Sequence, residues 1–245
     1  MKSTISSSVL PVSISVCKKY AIFMSLALIL AGCASSASVK QINRLESVSA
    51  NPKILIMNPD VKYYLLTVGG VPQPQAEWTE SARNNFSTSL NAFAKERGVN
   101  AITSNDSDQL TDTEISYQKL YSAVGASILT HHFGNFKLPT KKGSFDWSLG
   151  PGIAFLGEKY GADYALFSYY RDYQASGGRT AFSFLAAMVG VFIPAGGEGG
   201  FASLVDLRTG EIVWFNRVAS GVGELREKEG ARAAVDYLLK DLPNK

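Results

Sequence analysis

Few residues in this chain could do chemistry, and their spacing decides what each could do. The two histidines, His131 and His132, are adjacent. Adjacent side chains point to opposite faces of a strand and diverge by about 100° on a helix, so the pair makes a poor chelate. No Cys or Glu-x-x-His partner lies near them in sequence, and a tetrahedral site needs such partners. The pair reads as a surface or loop-end feature. A Ser-His-Asp relay would have to use one of these two, and no G-x-S-x-G is present. Gly150-Pro151-Gly152 and the glycines of 196–200 lack the Lys or helix start that a phosphate loop needs. Asp163 and Asp206 flank strand-like runs, but no second carboxylate is tied to either by spacing, so strand-end or turn hydrogen bonds are expected of them. Metal, hydrolytic and phosphoryl chemistry each lack a complete set. The sequence therefore points away from an enzyme, with an envelope hydrolase as the weakest of three readings.

The thiols are the other reactive groups, and there are two, Cys17 and Cys33. The first 32 residues carry no acidic residue, Lys2, Lys18 and Lys19 supply positive charge, and Tyr20–Leu30 is apolar apart from Ser25. A basic flank, a short apolar core and small residues describe a secretory signal peptide over 1–32. That core is shorter than the roughly 20 residues of a spanning helix. Leu30-Ala31-Gly32-Cys33 directly follows it and resembles the lipobox of bacterial lipoproteins. The resemblance implies that diacylglycerol alkylates the Cys33 thiol and that cleavage leaves Cys33 as the first residue. Acyl lipid such as palmitate on Cys33 would then be the only attached group, with no other cofactor and no metal. Each buried acyl CH₂ contributes about 0.8 kcal/mol, so several chains make a stable anchor. Ala34 rather than Asp after the Cys implies sorting to the outer membrane, facing the periplasm.

Removing residues 1–32 changes the charge balance. The whole chain is +3, with 24 basic and 21 acidic residues. All the charges lost are lysines, so the mature part is near neutral and shows no basic face for nucleic acid. Cys17 leaves with the signal peptide, so no disulfide is expected in the domain. Its stability must come from a packed core, which about 190 residues can supply.

Positioning falls to the rest of the chain. Ala34–Pro52 is rich in Ser and Ala and reads, with Cys33, as a flexible tether over 33–52, with a reach of about 25 Å. Residues 53–245 read as a single domain. Lys53–Asn58 suits a buried strand, and Val61–Trp78 a long loop with some strand character. Thr79–Arg97 predicts a helix capped by Thr79, with Ala82, Phe86, Leu90 and Phe93 on one stripe and Gly98 ending it. Val99–Thr103 predicts a strand, Glu114–Leu129 a helix, and 145–159 a loop running into a helix closed by Gly161. Ala162–Tyr173 predicts a long strand whose aromatics Tyr164, Phe167, Tyr169, Tyr170 and Tyr173 pack as core on one face, or stack on a ligand. Phe201–Leu207 and Glu211–Val218 predict strands joined by a turn at Arg208-Thr209-Gly210. On the second, Ile212, Trp214 and Asn216 should face one way, and Val213, Phe215 and Arg217 the other. Glu227–Leu239 predicts a closing helix with Ala231, Ala234, Val235 and Leu238 inside. The expected fold is α/β, a mixed sheet of about five strands with helices packed on it.

Three stretches carry a family likeness: Lys53–Met57, Tyr160–Leu166, and Ala202–Trp214, which reads ASLVDLRTGEIVW. Together they resemble bacterial outer-membrane lipoproteins with a domain similar to the TolB N-terminal domain. The curli-secretion lipoprotein and the lipoprotein activators of peptidoglycan synthases are similar in fold. The resemblance spans most of 53–240 and supports fold and location better than activity.

Residues 179–200, RTAFSFLAAMVGVFIPAGGEGG, stand outside that likeness. A helix over 181–195 would rise about 22 Å, short of a 30 Å hydrocarbon core. Neither strand face would be polar, so a pore hairpin is a poor fit. Two readings remain: a segment buried on both faces, or an exposed contact. The flanking glycines suggest mobility and favour the contact. Its residues would be Phe182, Phe184, Leu185, Met188, Val191, Phe192 and Ile193. The partner would be the membrane, an envelope protein or another copy. The leading reading is thus a lipid-anchored, non-enzymatic assembly or interaction module. The second is a component of an export apparatus, oligomeric through 181–195.

Overall fold

Runs of period two and period 3.6 resolve into eight strands and five α-helices among the described residues of the computed structural model, which are 38–40, 51–104, 109–141, 143–218 and 221–243. In chain order these are β1 (Ser38–Lys40), β2 (Ile54–Ile56), β3 (Asp60–Leu66), β4 (Pro72–Pro74), α1 (Ala76–Glu96), β5 (Ala101–Thr103) and α2 (Asp112–Ile128). There follow α3 (Ala154–Tyr160), β6 (Tyr164–Ala175), α4 (Gly177–Met188), β7 (Gly197–Asp206), β8 (Ile212–Val218) and α5 (Lys228–Leu239). All belong to one unit, Ser36–Lys245. The signal peptide and Cys33 lie outside the described residues. So does the tether, apart from Ser38–Lys40, Asn51 and Pro52. Ser38–Lys40 pair antiparallel with Asn216–Trp214 of β8, an edge strand where free chain was expected.

The fold is α/β, with one mixed sheet in the order β1-β8-β7-β6-β2-β5. Strand β6 organises it. It runs antiparallel to β7 along ten residue pairs, from Tyr164↔Asp206 to Tyr173↔Gly197. Its other edge is shared: β2 pairs parallel with its first half and β3 with its second. The break between β2 and β3 falls at Asn58-Pro59, where Pro has no N–H to give a ladder. The Asn58 N–H donates to the Ser104 hydroxyl instead, at 2.8 Å.

Residues 61–78, expected as loop, form the β3–β4 hairpin and the first turn of α1. Pro72 and Pro74 fit because β4 is an edge strand, where a missing donor leaves no neighbour unsatisfied. Helix α1 therefore starts before Thr79, and Gln75 is its N-cap. The Thr79 hydroxyl has another task and accepts the Tyr63 N–H at 3.0 Å. At the far end Gly98, at φ 62°, ends the helix as expected.

The sheet is covered on both faces. Ile54, Ile56, Tyr164, Leu204 and Trp214 face α1 and α5, meeting Phe86, Leu90, Phe93, Val235 and Leu238. Leu55, Ala165, Phe167, Phe201 and Phe215 face α2 and α3, meeting Tyr121, Ile128, Ile153 and Leu156. The predicted alternation along β8 fails at its start: Ile212 joins the second layer and Trp214 the first. The cause is a bulge. Leu204 pairs with Trp214, but Val205 pairs with Ile212, so Val213 is extra. One inserted residue reverses the faces beyond it.

Candidate functional site

The end of the sheet where β6 and β7 outrun β2 and β8 carries the unusual residues. Ser176 caps α4, its hydroxyl accepting the Arg179 N–H at 3.3 Å. The Ser176 N–H donates to the Leu66 carbonyl of β3 at 3.0 Å, which ties the helix start to the hairpin. Helix α4 ends in a Schellman arrangement: Gly190, at φ 81°, donates to Ala187 O and Val191 to Ala186 O. Residues 189–195 then lead back to β7.

This helix faces the wrong way for a core element. None of its residues is buried. Its partly covered side carries Arg179, Ser183 and Ala186, at spacings of four and three. The large apolar side chains look outward, with exposures of 67% at Phe184, 60% at Leu185, 70% at Met188 and 87% at Phe192. Phe182, Val189 and Val191 are also exposed, whereas Ile193 is half-buried. The segment is thus not swallowed by the core. Two further exposed residues join the patch, Val68 and Val71, on either side of the Gly69-Gly70 turn of the hairpin. A Cβ at Gly178 would stand 2.7 Å from Val68, so hairpin and helix touch. Sequence reading missed Val68 and Val71, although two valines flanking a Gly-Gly turn are an apolar signal.

Arg179 holds the patch together. Its guanidinium donates to the Pro194 carbonyl from Nε at 3.1 Å and Nη2 at 2.8 Å, and to the Val68 carbonyl from Nη1 at 3.3 Å. One side chain thereby joins the start of α4, the end of its loop and the hairpin turn. Two of the flanking glycines, Gly196 and Gly200, allow close backbone approach. Gly197, Gly199 and Gly200 lie in β7. A Cβ at Gly200 would sit 2.6 Å from the Tyr169 carbonyl oxygen, and one at Gly196 would sit 2.3 Å from that of Tyr173.

Behind the patch lies an acidic group. Asp172 of β6 stands directly opposite Glu198 of β7. Glu224 lines the same cleft, of about 590 Å³. Tyr170 donates its hydroxyl to Glu198 at 2.7 Å, Tyr63 to Glu224 at 2.9 Å, and Gln174 donates to Asp172 at 2.8 Å. Burial, with Glu198 nearby, pushes the Asp172 carboxyl up to about 6. The Arg226 guanidinium holds Glu224 down at about 2, against the effect of its partial burial. Hydroxyl and amide partners occupy these carboxylates, and no nucleophile stands among them.

The other candidates have local roles. Asp163 accepts the Lys53 N–H at 2.8 Å, at the start of β2. Asp206 accepts the Arg208 N–H and guanidinium, closing the β7–β8 turn. His131 meets the Phe136 carbonyl through Nδ1 at 2.6 Å, and His132 lies edge-on to the rings of Phe133 and Phe145. Among the described residues no group of three His, Cys, Asp or Glu could hold a metal ion, and no helix is long and apolar enough to cross a membrane. The aromatic strand packs as core through Tyr164, Phe167 and Tyr170, and Tyr173 stacks on Tyr64 at 5.0 Å. A cleft of about 980 Å³ lies between β3 and α1 and is lined mainly by amides, hydroxyls and cations.

No protein-family model matches the chain, and no curated protein matches it. Among solved structures it is similar to the PelC dodecamer from Paraburkholderia phytofirmans, at 10% identity and a TM-score of 0.42, over 86% of this chain and 98% of that one. It is also similar to the lipoprotein GNA1162 from Neisseria meningitidis, at 14% identity and a TM-score of 0.33, over 78% and 97%. A third likeness is to the LpoB C-terminal domain from Salmonella enterica, at 15% identity and a TM-score of 0.27, over 71% and 86%. Likeness this distant says nothing of activity.

Proposed function

We propose that this protein is a lipid-anchored, non-enzymatic module of the bacterial cell envelope. It faces the periplasm from the outer membrane and works by contact through the patch on α4 and the β3–β4 hairpin. The observation that carries this reading is the inverted helix. A segment that turns Arg179 and Ser183 inward and two phenylalanines outward gains nothing from folding and presents a surface instead. The lipobox-like LAGC at 30–33 supplies the envelope address.

Two measurements test it. Radioactive palmitate should label the wild-type chain and leave Cys33→Ser unlabelled and released from the membrane fraction; label persisting in that variant would refute the anchor. Phe184→Ser with Phe192→Ser should leave the melting temperature unchanged, because neither ring is buried, and should abolish the contact seen by photocrosslinking in envelopes. Loss of folding in this double variant would refute a contact surface. The second reading is a subunit of an envelope export apparatus assembled through the same patch. Phe192, at 87% exposure, is the observation that favours it, and a native mass above one chain in detergent, lost in the double variant, would mark it.

A further inference from the structure

The reading above leaves open what the patch touches. The two segments that build this end of the molecule share a property that neither shows alone. From Val61 to Ala76 there is no carboxylate and one cation, Lys62. From Tyr173 to Gly197 there is again no carboxylate and one cation, Arg179. The topology brings both together, since β3 pairs with β6 up to Leu66↔Ala175. Acidic side chains resume immediately behind, at Asp172 and Glu198.

The side chains are also graded by exposure. The most exposed are Phe184, Leu185, Met188, Val189 and Phe192, with Val68 and Val71 at the hairpin turn. Next come Arg179, spread over the Pro194 and Val68 carbonyls, and the stacked Tyr64–Tyr173 pair, whose planes lie 12° apart. This sequence of apolar tip, then cation and tyrosine rings, then carboxylates matches the depth profile of a bilayer interface. There acyl chains give way to headgroups that favour aromatic rings and cations.

Two features separate lipid from protein as the occupant. The patch is a protrusion, and lipid closes around any protrusion, whereas a protein must offer a matching cavity and a hydrogen-bonding rim. The tip offers little for such a rim. At the end of α4 the Val189, Gly190 and Val191 N–H groups are all spent on Ala186 and Ala187.

We infer that the α4 pole is a membrane-docking surface: its apolar tip enters the acyl–headgroup boundary of a bilayer, a second attachment beside the Cys33 lipid. The inference rests on the proposed lipid anchor only for bringing that bilayer within reach.

The test uses the full chain, processed in cells and reconstituted into vesicles of phosphatidylethanolamine and phosphatidylglycerol. With Cys33 lipidated and the signal peptide removed, Phe192→Cys adds the single free thiol, to be labelled with an environment-sensitive fluorophore. Thr209→Cys, in the exposed turn at the other end of the sheet, is the control. The expected result is a blue-shifted emission at 192, quenched by spin-labelled lipid, with no change at 209. Emission from water at 192 in vesicle-bound protein overturns docking and leaves the anchor intact. A blue-shifted emission that lipid quenchers do not touch also overturns it. It would point to a second copy, whose apolar groove of about 620 Å³ beside Tyr169, Phe201 and Val218 could receive the tip. Mass spectrometry of Cys33 in the same sample reports the anchor separately. If Cys33 carries no lipid, the anchor reading fails, and quenching at 192 on added vesicles still decides docking.

Discussion

Gly125 shows how a single hydrogen atom in place of a methyl group can decide stability. It sits inside α2, where Gly→Ala ordinarily gains about 1 kcal/mol in helix propensity. Here a Cβ would stand 2.0 Å from the Phe201 ring. That ring is stacked on Tyr169 at 4.7 Å and on Phe215 at 5.6 Å, so it has nowhere to go. Overpacking costs about 1–3 kcal/mol and outweighs the propensity gain. Gly125→Ala should lower the urea midpoint, by a net loss of up to about 2 kcal/mol, without changing the slope. Asp172 acts through charge. Its folded pKa of about 6 lies above its ordinary 3.8 because of burial and Glu198, so the folded state holds its proton more tightly than the unfolded one. Stability from this group is full below pH 4 and falls as pH rises through 6, by up to about 3 kcal/mol. Asp172→Asn should therefore raise stability at pH 7 and flatten the curve between pH 4 and 6, as read by urea unfolding at each pH. Glu114 opposes this at lower pH. Despite burial, the Thr111 N–H, Lys159 and Tyr160 hold its carboxyl at about 2, so its contribution is lost as pH falls below 4.5. The wild-type curve should peak on the acid side of neutrality.

At the scale of elements, α4 depends on Arg179 more than on any packing. Removing its three hydrogen bonds in Arg179→Ala should loosen the loop locally, since the helix contributes no buried residue to the core. Hydrogen exchange at the 186–191 amides should speed up several-fold while the melting temperature stays the same; a global fall in stability would contradict this. The helices with a strong apolar stripe, α1 and α5, were legible from spacing because burial is what makes that stripe. So was the β6 run, whose aromatic residues, with Ala165 and Leu166, fill both layers. The hairpin at 60–74 was not legible, because its second strand is two prolines at an edge, where local composition argues against a strand and only the neighbour β3 makes one. The packing role of Gly196 and Gly200 was not legible for a related reason: the Tyr173 and Tyr169 backbones they make room for lie in a partner strand. At the candidate site, the apolar residues 182–193 could be named from sequence. Their direction could not, because a short helix that is apolar all round gives no inward face.

The described domain is a sheet between two helical layers, with one end of the sheet left apolar. Its two hydrophobic layers draw on strands from 54 to 218 and on helices from both halves of the chain. Many of their pairings are distant in sequence, such as Ile54 with Tyr164. Beside the β3–β4 hairpin, the antiparallel run from β6 to β8 is the most local part of the sheet, except that 21 residues separate Ala175 from Gly197. A turn of about four residues would join the same two strands. Closing the longer loop costs about 1.4 kcal/mol more, at roughly 0.6 kcal/mol per doubling. The insertion therefore costs its own domain closure entropy, and its helix returns no buried side chain. Whatever offsets that cost lies outside the fold, at the surface α4 meets.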